Sequence, residues 1–341
     1  MRAVRISGTD GIDDVTVTDV PKPTVGAEEV LVDVRASGIN CAELWIAKGI
    51  EGTTPVIPGV DIAGVVNDVG ADVDGVAEGD RVAVYWNLPC GTCEFCAAGE
   101  TTLCPEYGGI GIERDGGHAE AVAVPAENLL PLPDHVSFET AAAFSSNFGT
   151  AWRGLLTRAD VNVGERVLVV GASGGVGHGA VQIAALAGAE VYACTSSAAK
   201  AERVRELGAD HVIDYTAVDL DDEVAALTDK RGVDVVFESI GGDVYERAVR
   251  SLAQDGRLVT IGATAGEADQ TMLKYVFWKQ LRIIGSTGCT KPELRAAHRQ
   301  LAYGTLTPVI ETTVSFDDVS DVYRRLEDRT RDVFGKFVLT P

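Results

Sequence analysis

Val167-Leu168-Val169-Val170-Gly171-Ala172-Ser173-Gly174-Gly175-Val176-Gly177 is the stretch that decides the fold. Four consecutive aliphatic residues read as a buried strand, and the glycines follow without a gap. A helical run, Val176–Ala187, comes next, and a second strand over Glu190–Cys194 completes a unit of about 30 residues. Gly171 permits the tight turn, Gly174 and Gly175 admit backbone amides to a pyrophosphate, and Gly177 lets helix and strand pack closely. Ser173 and Val176 line the same turn. The helix N-terminus adds partial positive charge. A glycine-rich turn without a ligand is the alternative, and the strand–turn–helix–strand context argues against it.

Outward from this unit the pattern continues. Strands are expected at Arg166–Val170, His211–Asp214, Val233–Glu238, Arg257–Ile261 and Leu281–Ile284, with helices between them, Ala198–Leu207 among these. Strands alternating with helices imply parallel βαβ units. Upstream the chain reads differently. Val15–Val20, Val30–Val34, Gly59–Val66 and Arg81–Tyr85 are short strands closely punctuated by glycine and proline. After Pro133, Ser137 is placed as the cap of an Ala-rich helix. Downstream, helices are expected at Lys291–Leu301 and Phe316–Asp328, then a last strand at Gly335–Leu339 that returns to the first domain. The fold class is α/β. The expected division is a β-rich domain over residues 1–130, a doubly wound domain over 131–290, and a returning segment over 291–341.

The end of the second strand selects the cofactor. A site for NAD usually holds Asp or Glu there, bonded to the ribose 2′-hydroxyl. Here the chain reads Thr195-Ser196-Ser197-Ala198-Ala199-Lys200. Two hydroxyls and a cation suit a 2′-phosphate, so NADP(H) is expected, with Ser196, Ser197 and Lys200 as contacts. The same serines also suit a helix cap, and a capped helix N-terminus is itself an anion site.

Cys90, Cys93, Cys96 and Cys104 form a second constellation, within a lobe of about residues 87–117. Four thiolates at this spacing suit tetrahedral zinc, and a shell closed by four cysteines leaves no position for water or substrate. One structural zinc per chain is expected. Cys41, Cys194 and Cys289 are scattered, and an odd total of seven argues against a disulfide framework.

Composition narrows the function. The 341 residues carry a net charge of −22, which opposes a nucleic-acid footprint. No apolar run approaches the roughly 18 residues of a membrane span, and Met1–Ile6 lacks the apolar stretch of a signal peptide. A cytoplasmic protein with neither membrane nor nucleic-acid partner is expected. Arginines number 21 against eight lysines. Acid excess with few lysines suits concentrated salt, which screens self-repulsion, so a halophilic source is the preferred reading and an ordinary acidic enzyme the alternative.

Taken together, the cysteine lobe, the glycine turn, Leu207-Gly208-Ala209-Asp210 and Gly335-Lys336 resemble the medium-chain dehydrogenase/reductase superfamily, which includes zinc alcohol dehydrogenases and quinone reductases. The resemblance spans nearly the whole chain. It implies a GroES-like β-barrel catalytic domain plus a doubly wound Rossmann parallel-sheet domain, with the active site in the cleft between them. It also implies a homodimer or homotetramer, formed through the edge of the parallel sheet.

One departure from the family is informative. Its alcohol dehydrogenases hold a catalytic zinc with a Cys, the His of a Gly-His-Glu motif and a third residue that is often Cys. Here Asn40 stands at the first position, Val60 of Gly59-Val60-Asp61 at the second, and Ser146 at the third. Val cannot ligate, and Asn and Ser are poor zinc ligands. Cys41 and Asp61 offer two donors where three are wanted. The spellings Gly38-Ile39-Asn40 and Gly59-Val60-Asp61 resemble the metal-free quinone and enoyl reductase branch.

That resemblance implies hydride transfer from NADPH to a quinone or an α,β-unsaturated carbonyl, enone or enoyl thioester, as the small-molecule substrate. An alcohol dehydrogenase with an atypical zinc site is the alternative, and a non-enzymatic NADPH-binding protein is a third reading. Asn40, Cys41, Trp45, Ser146 and Asn147 are the candidate catalytic residues; the last proton comes from water or Cys41. Thr150, Tyr215, Ile261, Gly262 and Lys336 join the expected cofactor contacts. Trp45 and Trp152 also suit a packed core. His118 and the other four histidines are read as structural.

Overall fold

The computed structural model describes residues 1–266, 271–328 and 333–341. The chain divides into two compact units. The first comprises Met1–Ser146, Thr290–Thr330 and Lys336–Pro341, and the second Asn147–Cys289 and Arg331–Gly335.

The first unit begins with β1 (Arg2–Ile6) and β2 (Val15–Asp19), an antiparallel pair. Next come β3 (Glu29–Ile39), α1 (Cys41–Ala47), β4 (Asp61–Val69) and β5 (Arg81–Val84). The cysteine lobe contains β6 (Asn87–Leu88), α2 (Glu94–Ala97) and β7 (Gly108–Gly109). The strands β8 (Ala121–Pro125) and β9 (Leu129–Pro131) lead into α3 (Phe138–Trp152). Ser137 Oγ accepts the Thr140 N–H at 3.1 Å, so the serine caps this helix.

In the second unit, β10 (Arg166–Val169), α4 (Gly175–Leu186) and β11 (Glu190–Thr195) form the unit built on the glycine turn. They are followed by α5 (Ala201–Glu206), β12 (His211–Asp214), α6 (Leu220–Leu227) and β13 (Val233–Glu238). The unit continues with α7 (Gly242–Arg250), β14 (Leu252–Thr260), α8 (Leu273–Lys279) and β15 (Arg282–Gly285). All six strands pair in parallel, in the order β12-β11-β10-β13-β14-β15. From β10 the chain runs outward to β11 and β12, then crosses back to β13. The carboxyl end of β10 is therefore the switch point at which an open parallel sheet offers a ligand crevice. Leu168, Val170, Tyr192, Val236 and Leu258 sit in the core of this sheet.

The chain then returns to the first unit with α9 (Lys291–Ala302), β16 (Ile310–Val314), α10 (Val319–Glu327) and β17 (Lys336–Leu339). The main sheet of that unit runs β16-β17-β3-β4-β5-β9, and β8 also pairs with β3. Its core holds Val32, Val34, Ile62, Val84 and Val122. As the longest strand, β3 is paired along different parts of its length by β4, β8 and β17. Residues near the chain's end are thereby carried next to residue 40.

Three elements differ from the sequence reading. β14 starts at Leu252, five residues before the expected Arg257, because the strand passes through a bulge at Asp255, whose φ is 57°. The expected helix over 198–207 splits into a 3-10 turn at Ala198–Lys200 and α5, and the one expected over 316–328 splits likewise into a 3-10 turn at Phe316–Asp318 and α10.

Candidate functional site

In the second unit the glycine turn leaves the carboxyl end of β10 with Gly171 at φ 76°. It is closed by Gly174 N–H donating to the Gly171 carbonyl at 3.0 Å. A side chain at Gly177 would strike that same carbonyl, so only glycine brings α4 this close to β10. The first amides of α4 point past the turn as an anion cradle. Ser173 is buried there, and the buried Lys200 donates its ammonium to Ser173 Oγ at 3.3 Å. Lys200 thus brings its charge to the glycine turn, while Ser196 and Ser197 stay at the end of β11. Ser197 Oγ accepts the Ala199 N–H at 3.2 Å. No carboxylate stands at positions 195–200.

Other expected contacts fall around the same strand ends. Ile261 and Gly262 leave the end of β14, and Ile261 N–H bonds the Glu238 carbonyl at 3.0 Å. The buried Glu238 fixes the neighbouring loop, accepting N–H from Ile240 and Gly241 at 2.6 and 2.7 Å. Burial raises its pKa. Tyr215 is half-buried against the sheet core. Asn147 is buried with its amide against Gly175, and Thr150 lies one turn further along α3.

In the first unit the cysteine lobe gathers Cys90, Cys93, Cys96 and Cys104 so that their sulfurs all lie within 4.8 Å of one another. A tetrahedral zinc with Zn–S bonds of about 2.3 Å needs neighbouring sulfurs roughly 3.8 Å apart, so the set fits after a small contraction. Backbone N–H groups already point at two sulfurs: Cys90 N to Cys104 Sγ at 3.4 Å and Cys96 N to Cys93 Sγ at 3.5 Å. Hydrogen bonds from Thr92 and Cys93 pull Cys90 down to about 6. Desolvation and the adjoining thiols push Cys96 up to about 12. Four cysteines this close could hold a metal ion as thiolates, since binding would displace the thiol protons.

A second constellation in this unit is built from four distant positions. Asn40 follows the end of β3, Asp61 opens β4, Ser146 lies in α3 and Lys336 opens β17. Asp61 is fully buried. Its Oδ1 accepts the Ser146 N–H at 2.6 Å. Its Oδ2 accepts the Ser146 hydroxyl at 2.6 Å, the Lys336 ammonium at 2.9 Å and the Asn40 amide at 3.0 Å. Asn40 Oδ1 accepts from Lys336 in turn. Only one orientation of the Asn40 amide serves both neighbours, because a carboxylate only accepts and an ammonium only donates. Gly38 makes the room: a side chain there would lie 2.8 Å from Lys336 Cε and 3.0 Å from Asp61 Cβ.

Titratable groups from several elements surround this set. Glu43 on α1 is buried, accepts the Asn40 N–H at 2.7 Å, and is pushed by burial up to about 8. Burial pushes His118 and His298 down to about 4. His118 Nδ1 lies 3.1 Å from the Tyr323 hydroxyl, which burial holds protonated. At neutral pH these four are uncharged, and Asp61 and Lys336 form the ion pair they surround.

The structure thus brings Asn40 and Ser146 together, as two of the expected catalytic residues. Lys336, expected as a cofactor contact, spends its ammonium on Asp61 and Asn40. Cys41 and Trp45 follow Asn40 on α1, both half-buried. Asp61 was visible in sequence only as an incomplete metal donor, Glu43 carried only the signature of a helix cap three residues after Asn40, and Tyr323 carried no signal. Among the described residues the cysteine lobe is the one group of three or more Cys, His, Asp or Glu with convergent ligand atoms. No helix among them is long and apolar enough to cross a membrane.

Comparisons with known proteins agree with this picture. Residues 26–134 match the alcohol dehydrogenase GroES-like domain, and residues 175–302 match the zinc-binding dehydrogenase domain. The acryloyl-coenzyme A reductase of Metallosphaera sedula is 33% identical over 343 residues, covering 100% of both chains. Among solved structures, an NAD-dependent alcohol dehydrogenase superposes with a TM-score of 0.96 at 39% identity, covering 100% of both chains. A crotonyl-CoA carboxylase/reductase superposes at 0.91 with 26% identity, over 100% of this chain and 88% of that one. With a GroES-like domain, a Rossmann-type parallel sheet and full-length relatives of this kind, the chain is an oxidoreductase of the zinc-binding medium-chain dehydrogenase/reductase superfamily.

Proposed function

We propose that this enzyme transfers a hydride from NADPH to an activated C=C bond, best an enoyl thioester and next an enone or quinone, without a catalytic metal. The observation that carries the reading is the Asp61 constellation. Where an alcohol dehydrogenase of this superfamily needs soft ligands for zinc, this chain has an amide, a valine, a hydroxyl and a carboxylate engaged by an ammonium. That donor set orients polar groups and does not suit zinc.

Bound NADPH supplies the hydride; the protein supplies position and polarity. Addition at the β-carbon moves negative charge onto the carbonyl oxygen, which fixed donors stabilise. Asn40 is our donor through the amide proton it does not give to Asp61, Ser146 gives its hydroxyl proton to Asp61 and so helps fix that carboxylate, and Trp45 on α1 shapes the apolar side. The α-carbon takes its proton from water or Cys41. Ser196, Ser197 and Lys200, with no acid beside them, support NADPH over NADH. The cysteine lobe would hold one structural zinc. The exposed edge strand β15, with Ile283, and the exposed Phe277 and Trp278 of α8 support a homo-oligomer built on this edge.

Likeness to an NAD-dependent alcohol dehydrogenase favours a second reading, alcohol oxidation at an atypical zinc site. One assay separates them. Enzyme treated with a chelator that spares the cysteine lobe should still oxidise NADPH with acryloyl-CoA or a quinone. Reduction of NAD by alcohols, abolished by the same treatment, would overturn the proposal. A Lys200→Ala variant should raise the KM for NADPH about tenfold and leave that for NADH within twofold, matching the loss of one charge-assisted contact.

A further inference from the structure

We propose that Lys336 is a positioning residue that acts as the built-in cation of the Asp61 site, keeping that carboxylate ionised and thereby fixing the Asn40 amide and the Ser146 hydroxyl. Four observations support it. Lys336 and Asp61 are both essentially inaccessible, at 2% and 0% side-chain exposure, so neither charge is screened by water. The ammonium contacts Asp61 and Asn40 together, which ties the orientation of the amide to the presence of the charge. Gly38 leaves space that the lysine stem fills. The titratable groups packed around the pair supply no substitute charge: Glu43 from α1, His118 ahead of β8, His298 from α9 and Tyr323 from α10 are all neutral at pH 7.

The arrangement has a chemical consequence. An isolated buried carboxylate takes up a proton rather than remain charged. Without Lys336, Asp61 would become a carboxylic acid, and its Oδ2 could not accept from both Asn40 and Ser146 while carrying a proton. Lys336 acts through Asp61 and not by touching substrate or cofactor. The claim concerns charge compensation, so it holds whichever acceptor the enzyme reduces.

The test is a set of variants of the full-length, zinc-loaded enzyme: Lys336→Met, Asp61→Asn and the double variant. In Lys336→Met, difference infrared spectra should show a protonated-carboxyl band that is absent from the wild type and from the double variant. Its kcat should fall at least tenfold, with the KM for NADPH unchanged within twofold. In Lys336→Ala, methylammonium or ethylammonium should restore activity saturably, while sodium and ethanol should not. The double variant should melt at a higher temperature than Lys336→Met, because removing both charges leaves none uncompensated. If Lys336→Met is too unstable to assay, the melting order of Asp61→Asn and the double variant decides, with the double variant expected to be the more stable. The proposal is overturned by any of three results: no new carboxyl band with wild-type kcat; a raised KM for NADPH at unchanged kcat, which would make Lys336 a cofactor contact; or a double variant less stable than both single ones.

Discussion

The first unit contains two four-residue polar constellations of opposite construction. The cysteine lobe draws its four sulfurs from 15 consecutive residues and wraps them around a space suited to a cation. The Asp61 site draws Asn40, Asp61, Ser146 and Lys336 from positions spread across nearly the whole chain, and its cation is a side chain. One site is suited to an ion from outside and the other contains its own. Under the proposed function, a family that uses metal for both structure and catalysis would in this chain keep the first use and replace the second.

The largest effect should come from the lobe. A Cys93→Ser variant should lose its zinc and be destabilised by on the order of 5 kcal/mol, given that structural zinc binding is worth about 10–16 kcal/mol in small metal domains. Zinc analysis alongside thermal melting checks this. A lobe variant that binds no zinc yet melts like the wild type would remove the contrast. Next in size is Asp61→Asn, which leaves the buried Lys336 ammonium without its counter-charge. A loss of about 3–5 kcal/mol is expected, read by chemical denaturation. Ser146→Ala removes the 2.6 Å hydroxyl bond but keeps the N–H bond to Asp61, so about 1.5–3 kcal/mol is expected. Its kcat should fall with it if the hydroxyl positions substrate.

A further effect concerns pH. Burial raises the Glu43 pKa to about 8 in the folded chain, against 4.5 in the unfolded one. Between those values the folded state binds more protons, so stability falls as pH rises. The benefit of holding Glu43 protonated is complete below 4.5 and lost once pH passes about 8. Glu43→Gln should flatten the decline between about pH 5 and 8, measured as melting temperature against pH. His118 and His298 run the other way: both are held neutral, so stability rises as pH increases from about 4 toward 6.5. An unchanged slope in Glu43→Gln would place the alkaline loss elsewhere.

What could be read from sequence follows the same local-versus-distant divide. The glycine turn, its flanking strands and the four lobe cysteines are legible because residues in one short window meet in space by secondary structure alone. The early start of β14 is hidden because Gln254-Asp255-Gly256 spells a turn, while parallel pairing with β13 holds the segment in a strand despite the positive φ at Asp255. The short α1, seven residues beginning directly after Asn40, has a local mark in the capping box of Asn40 and Glu43, which the sequence reading passed over. The Lys336–Asp61 pair spans 275 residues and exists because β17 pairs with β3 beside β4. Only the sheet order reveals it. Lys336 was expected among the cofactor contacts, and a lysine after a glycine carries no sign of the carboxylate that the sheet places beside it.

Zinc per chain tests the central claim most directly. Elemental analysis of the enzyme, purified without added metal and dialysed, should give one zinc, held by the cysteine lobe, with full activity toward an enoyl thioester. Two zincs per chain, with activity lost as the second is withdrawn, would contradict the account, since the Asp61 site would then be taking a metal in place of Lys336.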